Sequence, residues 1–106
     1  MSWYERVIAA HTAVTDAVSH GGRLKSERYF VWEEDGGSDF VANGRHVEKG
    51  MTGITDLFTK IEFDPWGQAL GAEFDAREIA WRLESVDFEP ETGFWHWQWR
   101  WGVRYG

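Results

Sequence analysis

The chain has 106 residues, 42% of them hydrophobic and 27% charged, with a formal charge of −7 and no cysteine. That length fits a single domain, residues 1–106, with enough apolar material for a core of its own. The acidic balance and the scattered basic residues argue against a nucleic-acid backbone as partner, because phosphate binding needs clustered Lys and Arg; the missing cysteines exclude disulfides and thiolate metal sites.

The first residues, Met1-Ser2-Trp3-Tyr4-Glu5-Arg6, lack the basic-then-apolar pattern of a signal peptide. No apolar run approaches the roughly 20 residues a membrane span requires. A soluble, unsecreted protein without a membrane partner is expected. Trp3, Tyr4, Val7, Ile8, His11, Val14, Ala17 and Val18 recur at helical spacing and predict an amphipathic helix over residues 3–20, ended by Gly21-Gly22. Tyr29 to Glu33 reads as a buried strand and Glu33 to Asp39 as an acidic turn. The stretch from Phe40 to Ile61 is mostly extended, with Asn43-Gly44 offering a tight turn or bulge, and its end from Ile54 to Ile61 is a strand. A flexible hairpin with a solvated tip is expected at about 36–53.

Asp64-Pro65 signals a helix start, with Asp as N-cap and Pro at the first helical position. Trp66, Ala69, Leu70 and Phe74 form its inward stripe. Ile79 to Glu89 reads as a strand kinked near Glu84-Ser85, where the parity of apolar positions changes from Trp81 and Leu83 to Val86 and Phe88. Glu89 to Gly93 is a turn. The final strand follows, with Trp95, Trp97, Trp99 and Trp101 at every second position and therefore in one row on one face; Phe94, His96, Gln98 and Arg100 point the other way. The order helix, two or three strands, helix, two strands implies an α+β fold: an antiparallel sheet of four to five strands with both helices on one face.

Chemistry-bearing motifs are sparse. His11, His20, His46 and His96 stand at no recognised metal-ligand spacing, and Glu33, Glu34, Asp35 and Asp39 match no calcium loop, so a solvated acidic turn is the better reading. Neither a phosphate-binding glycine pattern nor a nucleophile elbow is present. The expectation is a non-enzyme without cofactor, metal or catalytic residues. The tryptophan row then has three readings: core against the helices, an anchor for a neighbouring subunit, or a stacking platform for a sugar.

The N-terminal helix from Tyr4 to Val18, the Tyr29-Phe30-Val31-Trp32 strand, the Thr52-Gly53-Ile54-Thr55-Asp56-Leu57-Phe58-Thr59-Lys60 strand and the closing pair with Glu91-Thr92-Gly93-Phe94-Trp95-His96-Trp97 together resemble the small tail-terminator and tail-completion proteins of long-tailed phages and prophages. The resemblance covers most of the chain and is architectural rather than chemical. It implies a structural role: rings of subunits, commonly hexamers, that cap the tail tube and join it to the head, found in the virion or in the host bacterial cytoplasm during assembly. The implied partners are further copies of the chain, the tail tube and the head–tail connector proteins. The expected contact residues are Asn43, Arg45, His46 and Lys49 in the hairpin and Phe94, His96, Gln98 and Arg100 on the face opposite the tryptophans. A small module that binds a carbohydrate or peptide on the tryptophan strand is the alternative.

Overall fold

Helix α1 (Trp3–Thr12) opens on a capping box: the Ser2 hydroxyl accepts the Glu5 N–H and the Glu5 carboxylate accepts the Ser2 N–H. The computed structural model describes residues 1–36, 40–42 and 44–105, apart from the side chain of residue 41. The helix ends at Ala13, well short of the expected Gly21-Gly22. The N–H groups of Val14 and Thr15 both reach back to the His11 carbonyl, at 3.0 and 3.1 Å, and the Thr15 hydroxyl then takes the Ala17 N–H. Val14, Thr15 and Val18 are β-branched and poor at continuing a helix. Val18–His20 instead forms β1, an edge strand parallel to β2 (Arg28–Gly36). β2 also absorbs most of the expected acidic turn, since Glu33, Glu34 and Gly36 pair with β5 and the register shifts at Asp35.

The remaining strands are β3 (Phe40–Ala42), β4 (Arg45–Val47), β5 (Gly50–Thr59), β6 (Ala80–Glu89) and β7 (Phe94–Arg104), with helix α2 (Pro65–Ala76) between β5 and β6. Five of the strands make one sheet in the order β1-β2-β5-β7-β6, antiparallel at every contact except β1–β2. The fold is α+β, and the sheet is mixed rather than purely antiparallel. β3 and β4 form a separate hairpin, so the extended stretch after Phe40 is two short strands and one long one.

Both helices lie over one face of the sheet. Val7 and Ala10 of α1 and Leu70 and Phe74 of α2 bury Phe30, Leu57, Trp99 and Trp101. Within this core His11 makes a closed chain of bonds. The Trp101 indole donates to Thr55 Oγ1 at 3.0 Å, the Thr55 hydroxyl meets His11 Nε2 at 2.8 Å, and His11 Nδ1 donates to the Val7 carbonyl at 2.7 Å. The reverse face buries Tyr29, Val31 and Phe58 near the β1 edge. At the other end, Phe40 and Val47 seat the hairpin on Ala80, with the Phe40 ring against Gly102. Among the described residues no helix is long and apolar enough to cross a membrane.

Candidate functional site

β7 lies between β5 and β6, and its tryptophans face the helices as a graded row. Trp99 and Trp101 are fully buried, whereas Trp95 and Trp97 are only half-buried. The gradient follows from where α2 sits. Its Gly67 has no side chain, and a Cβ there would overlap the six-membered ring of Trp97; a Cβ at Gly71 would fall 2.9 Å from Trp81. Two glycines on one helical face thus let the indoles lie directly on helix backbone. Trp81 fixes the contact further by donating from its indole to Asp75 at 2.9 Å. Beyond Gly67 the helix stops covering the sheet.

What it leaves open is apolar. On β6 the register shifts between Leu83 and Ser85, so that Glu84 is an extra residue, and the shift was foreseeable from the parity change in the sequence. The bulge returns Val86 and Phe88 to the helix side, opposite Trp97 and Trp95, instead of turning them to the reverse face. Leu83, Val86 and Phe88 are 41–47% exposed there. Leu83 and Val86, with Phe63, Trp95 and Trp97, line a cleft of about 380 Å³. The Trp97 Nε1 beside it is buried and has no hydrogen-bond partner among the described residues.

Phe63 is the most prominent element of this surface. It is 85% exposed and has a φ of 56°, a left-handed conformation that costs a non-glycine residue on the order of 1 kcal/mol. The next residue holds it there. Asp64 is buried, caps α2 through the Trp66 N–H at 2.9 Å, accepts the Thr59 hydroxyl at 2.6 Å and takes two bonds from Arg28 at 2.6 and 2.8 Å. Burial alone would raise the Asp64 carboxyl, but these hydrogen bonds and the adjacent guanidinium outweigh it and hold the group below the ordinary carboxylate range. Arg28 is itself stacked 3.7 Å above the Trp66 ring. No sequence signal marked Phe63, because an exposed phenylalanine in a turn is recognisable only once the backbone angle is known.

The residues expected to make contacts from the reverse face are largely engaged within the chain. His96 Nε2 lies 2.7 Å from Asp56, with its Nδ1 3.6 Å from Glu89, and Gln98 donates to the same Asp56 oxygen at 3.1 Å. Arg100 pairs with Asp35 at 2.9 Å. Phe94 packs edge-on against Phe58, beneath the Lys60 ammonium. β5 therefore gathers Phe94, His96 and Gln98 onto its own side chains. Of the hairpin set, Arg45 reaches the Asp75 carbonyl at 3.4 Å, His46 and Lys49 are exposed, and Asn43 lies outside the described residues.

A second cleft, of about 500 Å³, lies at the opposite edge of the same sheet face, between α1 and β1, where Trp3, Tyr4, Ile8, Val18 and Trp32 line it. His20 of β1 stacks on Trp32 at 4.0 Å and bonds Glu34 at 2.7 Å. Among the described residues no group of three or more His, Asp or Glu is placed to hold a metal ion. The chain matches no family model and no curated protein.

Proposed function

We propose that this chain is a structural assembly protein of a phage or prophage tail, one that caps the tail tube or joins it to the head through contacts between copies arranged in a ring. Two lines support the reading: the resemblance of element order and strand strings to tail-terminator and tail-completion proteins, and the character of the uncovered surface. The observation that carries it is the apolar strip of Leu83, Val86 and Phe88 on the outermost strand, continuous with the 85%-exposed Phe63. Half-exposed apolar side chains gathered on one strand beside an exposed phenylalanine form a contiguous patch of the kind that marks a protein–protein contact.

The carbohydrate or peptide reading rests on β7, the tryptophan strand, and it has less surface to work with. Trp99 and Trp101 lie under the helices, so only Trp95 and Trp97 reach a cleft.

Disrupting the coding gene in its producing genome and imaging the particles by electron microscopy tests the proposal. Tails that accumulate without heads, or with irregular length, are the expected outcome. Complete, infectious particles would remove the assembly reading, and saturable oligosaccharide binding by a persistent monomer would replace it with the binding-module one.

A further inference from the structure

Three elements turn their repeats toward the cleft between α1 and β1. Tyr4, Ile8 and Thr12 recur at helical spacing and share one face of α1. His20 pairs with Trp32 across the β1–β2 ladder, and Glu34 alternates with Trp32, so all three side chains stand on the helix side of the sheet. α1 ends at Ala13, and the turn that follows adds Asp16 to the lining. The space they enclose, about 500 Å³, lies in the range of roughly 300–1,000 Å³ that small molecules occupy.

Its walls are aromatic and its charge is negative. The Trp3 and Tyr4 rings meet at 88° with 5.6 Å between centroids, as adjoining walls, and Tyr4 is 49% exposed. Trp32 is buried as the floor, with His20 stacked on it at 4.0 Å. Among the described residues neither Lys nor Arg lines the space, whereas two carboxylates do. Glu34 is held by His20 at 2.7 Å. The Asp16 carboxylate has no hydrogen bond or ion pair among the described residues. An aromatic face attracts a cation through its quadrupole, most strongly where water is excluded, and the net charge of −7 favours the same sign of ligand.

The kind of cation follows from the scarcity of acceptors. A primary ammonium or a guanidinium carries several N–H donors, and desolvating them is costly unless each finds an acceptor. Here Glu34 is engaged by His20 and the Thr12 hydroxyl is turned to the Ile8 carbonyl at 3.0 Å, which leaves Asp16 to face the ligand. A quaternary ammonium has no N–H to satisfy, and its methyl groups suit the aliphatic side chains of Ile8 and Val18. We infer that this cleft binds a small free molecule bearing a quaternary ammonium group, with the cation against the Trp3 and Tyr4 rings and Asp16 as its counter-charge. The cleft lies at the opposite sheet edge from the Phe63 surface, so this binding neither needs nor excludes contact between copies.

Titrating the full chain with choline at constant ionic strength, followed by NMR, tests the site. The reference ligand is choline's neutral carbon analogue, in which a tert-butyl group replaces the trimethylammonium. Choline should saturate the protein, its methyl protons should shift upfield as they do over ring faces, and the amides of Tyr4, Ile8, Asp16 and His20 should move together. Choline should bind about tenfold more tightly than the analogue, the size of a moderate cation–π attraction. Asp16→Asn, an isosteric change at an exposed position, should weaken choline severalfold and leave the analogue unaffected. Tyr4→Leu keeps apolar bulk on the helix and should also weaken choline. Equal affinity for choline and the analogue would overturn the cation assignment, and so would full choline affinity in Asp16→Asn. Shifts that are absent, never saturate or fall outside these residues would overturn the site itself.

Discussion

His11 shows how one side chain ties pH to stability. Its two ring nitrogens face a carbonyl that can only accept and a hydroxyl that can donate, an arrangement that suits the neutral imidazole with its proton on Nδ1. Burial pushes its pKa down from 6.5 to about 4, opposed only by the bond to Val7. Between those values the unfolded chain binds a proton that the folded chain refuses. Stability is thus complete above about pH 6.5 and falls as the pH drops toward 4, by about 3 kcal/mol from this group, with no further loss below. Urea titrations across that window should show the decline, and His11→Gln should flatten it; a flat wild-type profile would contradict the burial argument. Asp64 acts in the same direction at lower pH, since a carboxyl held below its ordinary range contributes stability that is lost on acidification. Asp64→Ala removes a helix cap and leaves Arg28 and Thr59 without their acceptor, so a loss of about 3 kcal/mol is expected by chemical denaturation.

Among the elements, those with strong periodicity were legible and those defined by their neighbours were not. The alternation of four tryptophans identified β7, Asp64-Pro65 identified the start of α2, and the parity change at Glu84 identified the bulge. The helical spacing of Val14, Ala17 and Val18 misled because it continues past the true end of α1, where local hydrogen bonds turn the chain back onto β2. β1 is three residues long and owes its existence to Phe30, Val31 and Trp32 beside it, so no pattern of its own could announce it. The gradient of burial along β7 was equally hidden, because it depends on where two glycines let α2 approach. Gly67→Ala tests that contact. Alanine favours a helix by about 1 kcal/mol, yet overlap with Trp97 should make the variant about 1–2 kcal/mol less stable. A net gain would show that Trp97 swings into the cleft at little cost. Along the same strand Trp99→Ala should cost about 3–5 kcal/mol, and Trp95→Ala clearly less, as a pair of thermal melts would reveal.

At the scale of the whole molecule, one sheet face holds a core at its centre and a cleft at each border. The sequence made the acidic charge and the aromatic density plain, but the sidedness of the surface emerged only from the strand order. The residues expected to meet partners, His96, Gln98 and Arg100, mostly find Asp56 and Asp35 within the chain, while the open apolar area lies on the tryptophan side. Leu83→Thr/Val86→Thr separates the two roles of that area. Both changes keep strand-compatible residues at half-exposed positions, so stability should shift by less than about 1 kcal/mol. The mass measured by sedimentation should nevertheless fall toward that of a monomer. A large loss of stability would mean that the strip belongs to the core after all.

The central place of β7 also bears on how the chain reaches its native state. β7 follows in sequence every element that it touches, and it pairs with β5 from Trp95 to Arg104 on one side and with β6 from Phe94 to Gly102 on the other. Until Phe94 to Arg104 are available, β5 and β6 have no strand between them, and Leu57 and Leu70 lack Trp99 and Trp101 to close the core. Completion of the five-stranded sheet therefore waits on β7, which comes after the other four strands in chain order. A fragment ending at Gly93 should lack a cooperative melt and associate through its unpaired strands, and adding a peptide of residues 94–105 in trans should restore the transition.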